Sequence, residues 1–257
     1  MRVVVKIGSA LISRGCSINY NWLGDKIKEI SGLMKEGHEI ILVSSGSVAA
    51  GMEVRNLKER PKKTLELQLL AGQGQVKLME FYRNWFRDES IFVAQILVTH
   101  HNFATPKEKD SVHNIIEAYL ERGILPIINE NDLVNKEEMD YERLFTDNDI
   151  LSSLVAKELK ADLLVMLTDV DGLFDGNPKK DEDVKLIQQV DNITDEIKAM
   201  ATPETNSLGL GGMISKVTAA ETCTKCGIDT IVGSGFKELS KLISGEEPRT
   251  LFKGKAL

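Results

Sequence analysis

Short apolar runs alternate along this chain with longer segments of helical period, and that alternation constrains the fold more than any other feature. Residues 3–7, 40–43, 91–98, 124–128, 163–167 and 230–232 read as strands, each stopping at small or polar residues. Between them, residues 22–35 place Leu23, Ile27, Ile30, Leu33 and Met34 at helical spacing. Residues 64–86, 112–121, 148–159, 216–226 and 238–243 also read as helices, with Asp147 placed to cap the one at 148. Strands that alternate with helices specify an α/β fold: a mostly parallel central sheet with helices on both faces, an α/β/α sandwich. At 257 residues the chain suits one compact domain spanning 1–257, long enough to bury a sizeable core.

In such sheets ligands sit outside the carboxyl ends of the strands. Here those ends read Gly8-Ser9, Ser44-Ser45-Gly46, Asn129-Glu130-Asn131-Asp132 and Thr168-Asp169. Lys6 beside the Gly8-Ser9 turn suits charge on a transferred phosphoryl, since glycine lets backbone approach a ligand and successive amides cradle phosphate. An edge-strand lysine before an ordinary turn explains the same residues. Ser45 and Gly46 lead into a helix start whose amides suit a carboxylate; a capped helix packed on the sheet is the plainer reading. Asn129 and Asp132 suit an ammonium or an amide, and equally a solvated turn. Asp147, Asn148 and Asp149 open a helix; capping and the helix dipole account for Asp147 but do not require the other two. The segment Gly209-Leu210-Gly211-Gly212-Met213-Ile214-Ser215-Lys216 suits a phosphate loop, although it fits neither the Walker nor the Rossmann spacing, and a flexible linker also has this composition.

Other features point away from function. Cys223 and Cys226 form a lone CxxC within a helical pattern, with no second pair for zinc. Asp169-Val170-Asp171-Gly172 resembles part of a calcium loop whose later ligands are out of place. His100-His101 reads as a strand-end turn, so no metal site is expected. The net charge of −7 disfavours nucleic acid and membrane surfaces as partners. No apolar stretch approaches a membrane span, and three sparse cysteines fit a reducing compartment, so a cytoplasmic enzyme is expected.

Taken in order, these segments resemble the amino-acid kinase family, and within it the glutamate 5-kinase branch. The matching stretches begin with Val5-Lys6-Ile7-Gly8-Ser9, the run from Ser44 to Gly51, the run from Gln68 to Gln75, and Ile127-Ile128-Asn129-Glu130-Asn131-Asp132. They continue with Asp147-Asn148-Asp149, the run from Leu167 to Phe174, and Gly211-Gly212-Met213-Ile214-Ser215-Lys216. The resemblance implies ATP-dependent phosphorylation of the side-chain carboxylate of L-glutamate, the first step of proline biosynthesis, with Mg²⁺ carried by the nucleotide. It implies catalytic roles for Lys6, Asp149 and Lys216, and glutamate contacts from Ser45, Gly46, Asn129, Asp132 and Asn148. Lys6, Gly8, Ser9, Thr168, Asp169 and the loop Leu210, Gly211, Gly212, Met213, Ile214, Ser215 and Lys216 would bind ATP. The N-terminal part would hold glutamate and roughly 160–257 the nucleotide. Feedback inhibition by proline and a homo-oligomer are further implications. The chain ends at Leu257, which leaves no room for the RNA-binding-type PUA domain that many members carry, and Ser44 and Ser47 stand where threonine and alanine are frequent.

The residues are consistent with these roles. A carboxylate is already nucleophilic at neutral pH, so phosphoryl transfer to it needs positioning and charge neutralisation more than a base. Competing readings are a sister kinase acting on aspartate, N-acetylglutamate, carbamate or an isoprenoid phosphate, and a non-catalytic sensor. Asn129-Glu130-Asn131-Asp132 favours a free α-amino group, and the conjunction of Lys6, Asp149 and Lys216 favours catalysis over sensing.

Overall fold

The computed structural model describes residues 1–134, 148–178, 183–201 and 212–255. In chain order the elements are β1 (Arg2–Ile7), α1 (Ser9–Ile12), β2 (Ser13–Arg14), β3 (Ser17–Ile18), α2 (Tyr20–Lys35), β4 (Glu39–Ser44), α3 (Ser47–Val54), α4 (Thr64–Asp88) and β5 (Val93–Val98). A 3₁₀ turn (His100–Phe103), α5 (Pro106–Leu120), β6 (Leu125–Glu130), α6 (Asn148–Glu158), β7 (Leu163–Thr168), β8 (Gln189–Val190) and α7 (Asp195–Met200) follow. The chain closes with α8 (Met213–Thr224), β9 (Asp229–Ser234), α9 (Leu239–Ser244) and β10 (Arg249–Phe252).

Eight strands form one sheet in the order β5-β6-β4-β1-β7-β9-β10-β8. Every pairing in it is parallel except β9 with β10. Side chains of a strand alternate between faces, and both faces are covered. Val3, Val5 and Ile7 pack in one cluster with Leu23, Ile27 and Ile30 of α2, Leu78, Tyr82 and Phe86 of α4, and Leu239 and Leu242 of α9. Val4, Ile41 and Val43 pack in the other with Ile116 of α5, Leu151 and Val155 of α6, and Val217 and Ala220 of α8. The layered sandwich anticipated from the alternation is therefore the fold.

β1 lies at the centre, between β4 and β7, so Lys6 is no edge-strand residue. After β6 the chain returns across the sheet to β7, on the other side of β1. The crevice of the fold thus opens at the carboxyl ends of β1, β4, β6 and β7.

Local differences from the anticipated elements have physical causes. α5 starts at Pro106, six residues before the anticipated 112, because Thr105 caps it by accepting from the Glu108 amide and proline is favourable in a first turn. α8 starts at Met213 rather than 216, with Gly212 at its N-cap. Ile91, read as strand, instead closes the end of α4 by donating its amide to the Phe86 carbonyl. The Asp147 cap and the loop beyond Val134 lie outside the described residues.

Candidate active site

The strand ends open into one cleft of about 200 Å³. Lys6, Gly8, Ser9, Ser45, Gly46, Asn129, Asp132, Asn148, Thr168, Asp169 and Lys216 all line it, so segments from the two ends of the chain converge there. Leu210 and Gly211 lie outside the described residues.

Beneath the cleft sits a charge triad. Asp149, in the first turn of α6, is fully buried. Its Oδ1 faces Lys6 Nζ at 2.5 Å and its Oδ2 faces Lys216 Nζ at 3.0 Å. Ser215 Oγ also donates to Oδ2, at 2.7 Å. Burial by itself would push the Asp149 carboxyl up; attraction from Lys6 and then Lys216, with hydrogen bonds from Lys6 and Ser215, overturns this and holds it well below the usual carboxylate range. The carboxylate stays ionised and fixes both lysines, each 5% exposed, with their ammoniums at the cleft. Sheet geometry brings one lysine, at the end of the central strand; the first turns of α6 and α8 bring the rest.

Amides and acids also line the cleft. Asn148 Nδ2 donates to Ser45 Oγ at 2.9 Å and to Asn129 Oδ1 at 3.1 Å. Ser47 Oγ donates to Asp132 Oδ2 at 3.0 Å. Gly46 caps α3 with φ of 106°, a left-handed backbone, and a Cβ there would stand 2.7 Å from Ile12 Cγ2. Glycine thus turns the chain so that the first turn of α3, Ser47, Val48 and Ala49, also lines the cleft, and helix N-terminal amides favour an anion.

Some anticipated residues stand differently from a simple ligand shell. The Gly8 amide donates to Leu167 O at 3.3 Å, so Gly8 serves close approach of the backbone to β7. The Ser215 hydroxyl is committed to Asp149 and to Gly212 O, and Met213 and Ile214 pack against the hydrophobic core. Ser47, Gln68 and Gln75 were not given a site role from sequence, yet all three bond site residues: Gln68 Nε2 donates to Asp132 O at 3.1 Å and Gln75 Oε1 accepts from Asn129 Nδ2 at 3.0 Å. In sequence the two glutamines bound one of the stretches that carry the resemblance, and their seven-residue spacing puts them on one face of α4. Among the described residues, no group of three or more His, Cys, Asp or Glu gathers as a metal cage. Cys16, Cys223 and Cys226 are all free thiols, and no described helix is long and apolar enough to cross a membrane.

The sequence and fold match known proteins over nearly their full length. The family model described as the amino acid kinase family matches residues 1–234. A glutamate 5-kinase of Lactococcus lactis subsp. lactis is 40% identical over 258 residues, covering 99% of this chain and 96% of the relative. A glutamate 5-kinase of Clostridium acetobutylicum is 39% identical over 254 residues, covering 98% of this chain and 94% of the relative. Among solved structures, carbamate kinase from Giardia lamblia bound to AMP-PNP superposes with a TM-score of 0.67 at 16% identity, over 98% of each chain. UMP kinase from Ureaplasma parvum superposes with a TM-score of 0.61 at 14% identity, also over 98% of each chain. At those identities the structures speak for the fold, whereas the sequence relatives speak for descent. The chain belongs to the amino acid kinase family, on its glutamate 5-kinase branch.

Proposed function

We propose that this protein transfers the γ-phosphoryl of ATP to the side-chain carboxylate of L-glutamate, forming L-glutamyl 5-phosphate and ADP and so opening the route to proline. The observation that carries the reading is the polarity of one cleft. Two buried lysines tied to Asp149 line it together with Asn129, Asp132 and Asn148. An α-amino acid with an anionic side chain matches both: its ammonium suits the amides and acid, and its distal carboxylate reaches the cationic part. The curated relatives that share the full chain carry the same activity in their names.

A glutamate carboxylate oxygen attacks the γ-phosphorus, and the bond from that phosphorus to the bridging β–γ oxygen breaks, with its electron pair leaving on ADP. No proton need be removed from the nucleophile. Lys6 and Lys216 neutralise charge on the phosphoryl oxygens as it moves, and Asp149 holds both ammoniums where that charge develops. The cleft suits a polyphosphate because both ammoniums open on it and Asp149 already occupies its carboxylate with them. Mg²⁺, when bound with the nucleotide, would offset phosphate charge. Thr168, Asp169 and the loop before Lys216 are assigned to the nucleotide.

Proline shares with glutamate an α-carboxylate and a charged α-nitrogen, and lacks the acceptor carboxylate. It should therefore compete at the glutamate end of the cleft. The test is ADP release with L-glutamate, L-aspartate, N-acetyl-L-glutamate and carbamate as acceptors, with proline titrated against glutamate. Glutamate-dependent release, slowed by millimolar proline and restored by excess glutamate, is the expected result. Release that ignores glutamate overturns the assignment of substrate; inhibition untouched by saturating glutamate overturns the shared site.

A further inference from the structure

We infer that Gln75, with Gln68 two turns away on the same helix, positions the amino-acid half of the cleft, so that α4 acts as the backstop of substrate selection. The inference rests on the functional reading above and adds two residues that do not line the cleft. The backbone sets the direction of a chain of amides. The Glu130 amide donates to Asn129 Oδ1 at 2.9 Å, which identifies that atom as the oxygen and turns Asn129 Nδ2 toward α4. There Gln75 Oε1 accepts it at 3.0 Å, in a buried environment. Asn129 Oδ1 can then accept from Asn148 Nδ2, whose other acceptors are Ser45 Oγ and, at 3.4 Å, the Ser44 carbonyl. With its nitrogen so engaged, Asn148 is left with a buried oxygen, Oδ1, that has no hydrogen-bond partner among the described residues.

A buried acceptor without a donor is costly until one arrives. The α-ammonium of an amino acid is such a donor, and Asn148 lines the cleft where it would bind. Gln68 fixes the far end of the same strand-end segment through the Asp132 carbonyl, while Ser47 holds the Asp132 carboxylate. α4 reaches this segment because α3 and α4 cross backbone to backbone. A Cβ at Gly74 would collide with Ser47 O, and one at Gly51 with Leu70 O. Gln75 does not itself line the cleft, so it is a positioning residue acting through Asn129 and Asn148.

The test uses Gln75→Met, which keeps length and removes the acceptor, and Gln75→Glu, which keeps the acceptor. ADP release is measured while glutamate and ATP are titrated separately, and again with glutarate, which has both carboxylates and no ammonium. Gln75→Met should raise the glutamate KM about tenfold or more, leave the ATP KM within about twofold, and lower the preference for glutamate over glutarate by a similar factor. Gln75→Glu should recover most of the glutamate KM. Equal changes in both KM values, or an unchanged glutamate KM and glutarate ratio, would overturn the inference. Should Gln75→Met not fold, Gln68→Ala carries the same expectation on glutamate KM. Failure of the functional reading shows up separately, as wild-type protein with no acid-dependent ADP release. Calorimetric titration of L-glutamate into wild type and Gln75→Met then decides on binding alone, and equal or absent binding in both refutes the positioning role.

Discussion

Replacing Asp149 with Asn removes charge from the centre of the triad while keeping its volume. Two ammoniums, at 2.5 Å and 3.0 Å from the carboxylate in the native protein, then face one another in a site nearly closed to water. At an effective dielectric of about 20, each lost attraction is on the order of 6 kcal/mol, much of it already offset by the desolvation of the ions. The loss on removing one member of a buried ion pair is about 3–5 kcal/mol. At about 2–4 °C per kcal/mol for a chain of this size, the ligand-free variant should melt roughly 10 °C below wild type. The pH dependence has a definite sign. The folded-state pKa of Asp149 lies below its unfolded value, so its stabilisation is fully present above the ordinary carboxylate pKa of about 4 and is lost as pH falls toward the lower folded value. The gap between wild type and variant should therefore narrow below about pH 4. A non-hydrolysable ATP analogue supplies negative charge and should raise the midpoint of the variant more than that of wild type. In the ADP-release assay kcat should fall by about 10²–10³-fold, because the lysines lose their placement. A variant melting within about 2 °C of wild type, with kcat within about threefold, refutes the triad as the organising element.

Lys216→Ala should lower kcat by about 10²–10³-fold with little change in glutamate KM, as its charge matters most while the phosphoryl leaves ADP; a near-normal kcat in the same assay removes Lys216 from the reaction. Gly74→Ala forces a methyl onto the Ser47 carbonyl and the Gly51 amide, so thermal melts should show a loss of about 1–3 kcal/mol or more, and kinetics a raised glutamate KM through displacement of Ser47 from Asp132. Burial pushes the Cys223 thiol up to about 12, so iodoacetamide at pH 8 should spare it in the native protein while the half-buried Cys16 and Cys226 react; mass spectrometry of native Cys223 adducts would contradict that burial.

The sheet was legible because its central strands are covered on both faces and so run as unbroken apolar segments, as in Val3, Val4 and Val5. What escaped notice lacks that signature. β2, β3 and β8 have two residues each, too few to show a period, and β10 enters antiparallel after a helix, against the pattern of the rest. The first six residues of α5 are nearly all polar, so periodicity alone starts the helix at Val112; Thr105 and Pro106 were the better signal. In the site, strand-end motifs marked the right place, and the resemblance grouped Lys6, Asp149 and Lys216 as catalytic; the distances among them come from the structure. Capping and the helix dipole do not require Asp149, and nothing in the neighbouring sequence reveals Lys216, 67 residues away, on its Oδ2. Gln68 and Gln75 bound a stretch that carries the resemblance, but on a long helix their spacing does not say which strand-end atoms they meet.

This diffuseness follows from the chemistry. An enzyme that must make a nucleophile needs a base beside it, and such pairs leave recognisable spacings. Here the acceptor is already an anion, so the protein's task is to collect positive charge, hold it still and orient the substrate. Within the triad, two buried ammoniums share the Asp149 carboxylate. Burying charge costs stability, and an incoming polyphosphate would bring negative charge beside both ammoniums. A protein that only sensed an amino acid would gain nothing from keeping two ammoniums there, since amides and acids would bind the ligand's ammonium without them. We read the arrangement as one in which the amides and acids hold the amino acid by its α-substituents while the two lysines stabilise the group being moved.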